Sequence, residues 1–251
     1  MKKKYINYTF IFIIFLSLNI IPIPTIKDFK NSCKDFKDSW EFISLIPKNY
    51  DTIGAIAPFS KQTAKLIIKS VQSKINELDH EKLMFLEVGP GNGALSEYFI
   101  KKLEKLKIDY QLDLVELNPE MYESLKAKFK DNSKINIYNN DIIVWQTENK
   151  YHVIVSTLPF NSTFFTSKMV KSIINKYENL VKLCGLVIYV EYVMIGNIYK
   201  VFLNNKEKID YIDKHKILAT FKNKNQTKTE LVFKNLPPTY IFSSKITNNS
   251  L

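Results

Sequence analysis

The feature that most constrains this chain is a cluster of glycines between an apolar segment and a helical one. The chain has six glycines, and three of them fall within the run Glu87-Val88-Gly89-Pro90-Gly91-Asn92-Gly93. Leu83–Val88 ahead of the run predicts a buried strand, and residues 94–106 after it have the apolar spacing of a helix. Glycine at such a turn lets backbone N–H groups come close to a ligand. The sequence therefore predicts a binding turn for a nucleotide-like ligand.

From residue 51 onward, helical segments alternate with short apolar strands. The predicted helices are 60–78, 94–106, 119–129 and 167–183, and the predicted strands are 83–88, 111–116, 135–138, 151–156 and 186–192. Such alternation is typical of parallel βαβ units whose sheet is covered on both faces. Residues 216–221 and 227–234, joined by a turn at 223–226, instead predict a closing β-hairpin. A chain of 251 residues has room for one α/β domain with appendages.

Three acidic residues narrow the choice of ligand. Gly89-x-Gly91-x-x-Ala94 also satisfies the dinucleotide fingerprint, and Glu116, which ends the second strand, would accept ribose hydroxyls from either kind of cofactor. Glu87 lies just ahead of the turn, near the place for a cationic amino-acid group, and Asp141 follows the third strand, where it would accept an adenine amino hydrogen. A buried carboxylate is costly without a donor, so Glu87 indicates a ligand or a backbone partner.

With these residues in place, the chain resembles the class I S-adenosylmethionine-dependent methyltransferases. The segment with Glu87, Gly89, Gly91 and Gly93 matches their first motif, Glu116 their ribose-binding acid, and Asn140-Asp141-Ile142 their adenine-contacting segment. The resemblance implies S-adenosylmethionine as the cofactor. It also implies a Rossmann-like α/β fold with a seven-stranded, mostly parallel sheet and an antiparallel C-terminal hairpin.

Three further segments concern the substrate. Residues 52–60, which end at Ser60, residues 156–160 and residues 233–238 together resemble the bacterial phospholipid N-methyltransferases that methylate phosphatidylethanolamine. That resemblance implies a lipid amine as the methyl acceptor, and it places Ser60 in the segment that introduces the cofactor site. The family usually has glycine where this chain has Thr157, which leaves the shape of the substrate pocket open.

Two alternatives stay open. The rRNA adenine dimethylases share the first motif and have an Asn-Leu-Pro-aromatic tetrad, but Thr157 replaces its asparagine and lacks the paired donor and acceptor of an amide. A net charge of +11 favours an anionic partner, either nucleic acid or an acidic membrane surface. The basic residues are all lysine, which favours the membrane because nucleic-acid readers usually rely on arginine. The other alternative is a membrane-bound protein that binds the cofactor without turnover.

The catalytic candidates follow from where ligands bind in such sheets. An alkyl ammonium with a pKa of about 10.4 must lose a proton before methylation, so a general base or a water path is needed. Ligands lie beyond the carboxyl ends of the strands, which nominates Ser156, Pro159, Tyr189, Glu191 and Tyr192 without selecting the base. The two cysteines and three histidines have no metal-binding spacing, so no metal site is predicted.

The first fifty residues predict a membrane connection. In residues 1–24, three lysines precede an apolar run of about 16 residues, shorter than the roughly 20 of a spanning helix, so the segment is interpreted as an anchor or a targeting signal. In residues 25–50, positions 26–43 form an amphipathic pattern with aromatic residues flanked by lysines, as in an interfacial helix or a helix packed on its own domain. We expect a membrane-associated protein whose methyltransferase domain, residues 51–251, lies on the cytoplasmic side with the cofactor.

Overall fold

The computed structural model describes residues 60–78, 82–162, 164–192, 203–233 and 238–247. The predicted segments at 1–24 and 25–50 lie outside these residues, as do residues 52–59, so membrane association and the N-terminal boundaries stay predictions. Within the described ranges, no helix combines the length and the apolar character that crossing a membrane requires.

Helices and strands alternate along the described chain, as the sequence predicts. Four of the helices begin at a polar cap, Ser60, Asn118, Thr166 and Asn204, whose side chain accepts a hydrogen bond from a backbone N–H of the first turn. The elements are α1 (Lys61–Ile75), β1 (Leu83–Val88), α2 (Ala94–Lys105), β2 (Tyr110–Glu116), α3 (Pro119–Phe129), β3 (Ile135–Asn139), β4 (Tyr151–Ser156), α4 (Ser167–Leu180), β5 (Val181–Tyr192), α5 (Asn205–Lys224), β6 (Gln226–Val232) and β7 (Thr239–Lys245).

The strands form one seven-stranded sheet in the order β3-β2-β1-β4-β5-β7-β6. Strands β1 to β5 pair in parallel, and β7 is antiparallel to both β5 and β6. This arrangement confirms the Rossmann-like methyltransferase fold. The strand order reverses between β1 and β4, and ligands of such sheets bind in the crevice beyond the carboxyl ends of the strands at that point. Val88 pairs with both Val115 and Ser156, so the ends of β1, β2 and β4 meet at one edge.

Alternate strand residues cover the two faces of the sheet. Phe85 and Val153 face α1 and α2 in one apolar core, which also holds Ile67 and Leu103. Leu86 and Ile154 face α4 and α5 in the other core. Burial on both faces is what a parallel sheet covered by helices requires.

The predicted hairpin was wrong in its first strand. Residues 216–221 belong to α5, which begins with a capping box formed by Asn204 and Glu207. The buried residues Tyr211, Leu218 and Phe221 recur at helical spacing on that helix. The antiparallel hairpin exists, but it joins β6 to β7, so its second strand is Thr239–Lys245. Over only six residues, the apolar side chains of 216–221 do not distinguish a strand from the buried side of a helix.

Candidate cofactor and acceptor site

The three glycines of the turn after β1 have positive φ, at 73° for Gly89, 55° for Gly91 and 76° for Gly93. A Cβ on Gly91 would have no atom within 4 Å, so this position faces open space that a ligand could fill. A Cβ on Gly89 would lie 2.8 Å from a side-chain carbon of Leu158, and one on Gly93 would lie 2.7 Å from a side-chain carbon of Leu125. Gly91 therefore fits close approach of a ligand, whereas Gly89 and Gly93 allow neighbouring elements to pack.

Glu116 fixes the shape of this turn. One carboxylate oxygen accepts a hydrogen bond from the N–H of Gly91 at 2.9 Å, and the other accepts from the N–H of Asn118 at 2.8 Å. The side chain thus connects the glycine turn to the cap of α3. Each carboxylate oxygen has a further lone pair, so Glu116 can still accept the ribose hydroxyls that the sequence assigns to it.

Glu87 is buried next to the glycine turn, and only one of its two carboxylate oxygens has a hydrogen-bond partner. Its Oε2 accepts a hydrogen bond from Ser96 Oγ at 2.7 Å, but its Oε1 has no hydrogen-bond partner. Burial raises the pKa of Glu87 to about 7; the Ser96 bond opposes this shift, and the charge of Glu116 adds to it. A buried carboxylate oxygen without a donor fits the cationic end of an amino-acid ligand. Ser96, in the first turn of α2, was not identified from the sequence, since serine is common near helix starts.

The remaining predicted cofactor residues shape the local backbone. Asp141 Oδ1 accepts a hydrogen bond from the N–H of Ile143 at 2.8 Å, forming a turn directly after β3. Ile142 is buried in the core on the α4 and α5 side. Ser60 caps α1 by accepting a bond from the N–H of Thr63 at 3.1 Å. Cofactor contacts by these three residues stay predictions.

The loop between β4 and α4, residues 157–166, is attached to the glycine turn; we call it the β4 loop. The Thr157 hydroxyl donates to the carbonyl oxygen of Gly89 at 2.5 Å, and the Thr157 N–H donates to that of Val88 at 3.1 Å. Ser156, just before the loop, is buried and accepts a hydrogen bond from Tyr177 at 2.9 Å, and Pro159 is buried as well. Hydrogen bonds from Thr157 therefore connect the β4 loop to the glycine turn and to the end of β1.

The far end of the β4 loop is held by side chains that the sequence did not single out. Asn161 Nδ2 donates to the carbonyl oxygen of Tyr192 at 2.6 Å, whereas Asn161 Oδ1 is buried without a hydrogen-bond partner. The buried amine of Lys214 donates to the carbonyl oxygen of Ser162 at 2.7 Å. Asp210 Oδ1 accepts from the N–H of Ser167, the first residue of α4, at 2.8 Å. The signal in the sequence is weak, because it consists of polar residues in a loop and on a helix that contact one another only after folding.

The candidate bases on β5 lie under α5. The Tyr189 ring is buried against Phe242 and Phe160, at ring-centroid distances of 5.1 and 5.8 Å, and its hydroxyl has no hydrogen-bond partner. Burial raises the pKa of Tyr189 and also that of Tyr192, so both phenols stay protonated at neutral pH. Glu191 is buried 3.8 Å from Lys222 Nζ; burial raises its pKa, and the Lys222 charge opposes this shift. A catalytic role for Ser156, Pro159, Tyr189 or Glu191 stays a prediction.

The described residues contain no group of three or more histidine, cysteine, aspartate or glutamate side chains that could hold a metal ion.

Comparison with known protein families identifies a match that covers most of the described α/β region. Residues 60–194, more than half of the chain, match the model of the family described as ribosomal RNA adenine dimethylase. The chain is 26% identical over 113 residues to malonyl-[acyl-carrier protein] O-methyltransferase 1 of Ilyobacter polytropus, a match that covers 45% of this chain and 38% of that protein. It is 33% identical over 101 residues to ribosomal RNA small subunit methyltransferase A of Prochlorococcus marinus, which covers 39% of this chain and 34% of that protein. The chain thus spans well under half the length of these relatives.

Solved structures support the fold. The N-methyltransferase NodS from Bradyrhizobium japonicum, in complex with S-adenosyl-L-homocysteine, superimposes with a TM-score of 0.52 at 11% identity. The superposition covers 75% of this chain and 89% of NodS. At this level of identity the likeness shows a shared methyltransferase architecture.

Proposed function

Because the chain belongs to the ribosomal RNA adenine dimethylase family, a family of S-adenosylmethionine-dependent methyltransferases, we propose that it methylates the exocyclic amine of an adenine in ribosomal RNA. Its cofactor is S-adenosylmethionine, whose sulfonium supplies an activated methyl group when bound. One observation carries the proposal: the family match spans both the glycine turn and the β4 loop, which the hydrogen bond from Thr157 to Gly89 joins.

The residues of the glycine turn fit the cofactor. Gly91 leaves room for it, Glu116 offers acceptors for ribose hydroxyls, and the unpartnered oxygen of Glu87 suits its cationic amino group. Holding donor and acceptor in one orientation supplies much of the acceleration in such a transfer. The direct bond between the two loops maintains that orientation.

Thr157 is compatible with an adenine acceptor although it replaces the tetrad's asparagine. Its hydroxyl proton is committed to the carbonyl oxygen of Gly89, so its oxygen presents only lone pairs to a ligand. An oxygen in that state can accept one hydrogen from an exocyclic amine. Thr157 would then orient the amine, with a single acceptor where the asparagine offers an amide.

The chemistry of the acceptor favours the RNA alternative over the phospholipid hypothesis that the sequence analysis placed first. A lipid ammonium with a pKa of about 10.4 needs a base before methyl transfer, whereas an adenine amine is neutral at physiological pH. Tyr189 and Tyr192, two candidates for that base, are buried phenols whose pKa is raised. The family match points the same way, because it names adenine in ribosomal RNA.

The test is methyl transfer from labelled S-adenosylmethionine by the full chain. Protein-free ribosomal RNA, small ribosomal subunits, phosphatidylethanolamine vesicles and malonyl-acyl-carrier protein would be offered in parallel. We expect label in the RNA, recovered as N6-methylated adenosine after nuclease digestion and mass spectrometry. Label in the lipid fraction would restore the phospholipid hypothesis, and label in the malonyl thioester would replace both.

A variant of the glycine turn shows whether the measured activity depends on this site. Gly91→Val should remove transfer to RNA, because a side chain would occupy the open space at the turn and strain a backbone with φ of 55°. Loss of RNA label in this variant, with the same circular dichroism spectrum as the native protein, would tie the activity to this site.

A further inference from the structure

We propose that Lys214, on α5, is a positioning residue that holds the β4 loop in the orientation needed for methyl transfer, an inference that rests on the proposed function. The family match ends at residue 194, so α5 lies beyond it. The amine of Lys214 nevertheless donates a hydrogen bond to the carbonyl oxygen of Ser162 at 2.7 Å, across 52 positions of sequence. A helix outside the matched region thus holds the loop that contains Thr157.

Lys214 occupies a position of α5 that faces the core. The buried residues of this helix are Tyr211, Lys214, Leu218 and Phe221, which recur at helical spacing on one side. Lys214 is only 2% exposed, and in the described part of the chain its amine has one hydrogen-bond acceptor, the carbonyl oxygen of Ser162. Burial lowers the pKa of Lys214, and the charge of Asp210 opposes this shift. Burying an ammonium group with a single acceptor is costly, so an apolar side chain would serve the stability of α5 equally well or better.

The β4 loop is short and stiff between Thr157 and Ser162. The N–H of Phe160 donates to the carbonyl oxygen of Leu158 at 3.0 Å. The N–H of Ser162 donates to that of Pro159 at 2.8 Å, and the proline ring fixes a further backbone angle. Because two turns and a proline fill this segment, we expect a displacement at Ser162 to move Thr157 as well.

The two ends of this segment are fixed to different parts of the fold. Thr157 donates to the carbonyl oxygen of Gly89 in the glycine turn, whose residues fit the methyl donor. At the other end, the amine of Lys214 holds Ser162, and the neighbouring amide of Asn161 donates to the last carbonyl oxygen of β5. A misplacement of about 1 Å between reacting groups costs roughly 100-fold in rate. Lys214 therefore acts on the reaction through the loop, without contact to cofactor or acceptor.

The test compares Lys214→Met with the native full-length chain. Methionine removes the donor and the buried charge, two effects that oppose each other in stability, so we expect a urea unfolding midpoint close to the native one. The kcat for methylation of protein-free ribosomal RNA should fall roughly 10- to 100-fold, while the KM for RNA and the affinity for S-adenosylmethionine change little. Amide hydrogen exchange, measured by mass spectrometry without cofactor or RNA, should become faster in peptides that cover residues 157–166.

Two further variants are the controls. Lys216 lies two positions further along α5, is exposed and pairs with Asp213 at 3.3 Å, so Lys216→Met should match the native chain in every measurement. Lys214→Gln keeps an N–H donor at a shorter reach and should recover part of the kcat that Lys214→Met loses. A structural role alone would not separate kcat from the unfolding midpoint in this way.

The outcomes separate the inference from the function on which it rests. Native kcat and native loop exchange in Lys214→Met would overturn the inference. A lowered unfolding midpoint with faster exchange throughout the chain would overturn it too, because the amine would then stabilise the whole fold. If the native chain methylates no RNA, the proposed function fails, and the exchange measurement alone then decides whether Lys214 holds the β4 loop.

Discussion

We expect Glu87 to couple cofactor binding to pH. Its pKa is raised to about 7 by burial, so without a ligand the carboxyl group is partly protonated at neutral pH. A cationic amino group beside Oε1 needs the ionised form. The ionised fraction rises from roughly one tenth at pH 6 to nine tenths at pH 8, so we expect S-adenosylmethionine to bind about tenfold more tightly at pH 8 by calorimetry.

Glu87→Gln is the control for this prediction, since it keeps an acceptor for Ser96 and removes the titration. Its affinity should be weaker than that of the native chain and flat between pH 6 and pH 8. The native protein without cofactor should lose stability as the pH rises from about 4.5 to about 7, because over that window the unfolded carboxyl has released its proton and the folded one still holds it. A native affinity independent of pH would show that no cation approaches Glu87.

Thr157 is the residue at which the two loops meet. Thr157→Val removes the oxygen proposed to accept from the adenine amine and the bond that joins the two loops, so we expect kcat/KM for RNA to fall roughly 5- to 150-fold, equivalent to about 1–3 kcal/mol of transition-state stabilisation. Thr157→Ser keeps the hydroxyl and should stay within about threefold of the native value. Steady-state kinetics with RNA as the substrate would test both values. Equal kcat/KM values for Thr157→Val and the native protein would show that the Thr157 hydroxyl does not contact the acceptor.

At the scale of elements, Asp210 connects α5 to the start of α4. Its carboxylate accepts the first helical N–H of α4, a position where negative charge and a hydrogen-bond acceptor both stabilise a helix. We expect Asp210→Ala to lower the free energy of unfolding by about 1–2 kcal/mol in urea. Asp210→Asn keeps an acceptor and should cost about half as much or less. If Ala and native protein unfold at the same urea concentration, the contact contributes nothing to stability.

The element scale also shows where the sequence is ambiguous. Strands β1 and β4 and the helix α3 could be placed to the residue, because apolar runs end at glycine, proline or polar caps there. Residues 216–221 were assigned to a strand because six residues are too few to distinguish the two periods. The capping box twelve residues earlier, formed by Asn204 and Glu207, was the local sign of a helix.

At the scale of the molecule, the alternation of strands and helices predicts the parallel sheet, and the glycine turn after β1 predicts where the candidate site lies. It could not predict why each glycine is needed. Gly89 is required by Leu158 and Gly93 by Leu125, residues that lie 69 and 32 positions away in the chain and become neighbours only in the fold. The two bonds of Glu116 and the burial of Lys214 depend in the same way on contacts between distant residues.

The charge of the whole molecule leads to the last prediction. The net charge is +11, and exposed lysines lie near the edge that holds the site, Lys168 and Lys171 on α4 and Lys206 on α5. Lysine contacts to phosphates release counterions, so RNA affinity should fall steeply with salt. With roughly five contacts the loss is about 100-fold between 50 and 200 mM salt, measured by fluorescence anisotropy.

Single lysines locate the contact surface. Lys168→Ala and Lys206→Ala should each reduce the slope of log affinity against log salt by about 0.7, the contribution of one phosphate contact in a single-stranded RNA. Lys105→Ala is the matched control, because Lys105 is exposed at the C-terminal end of α2, away from the ends of β4 and β5. Equal slopes for all three variants would mean that the RNA is held by charge spread over the surface. A slope near zero for the native chain would mean that phosphates are not contacted and would argue against an RNA substrate.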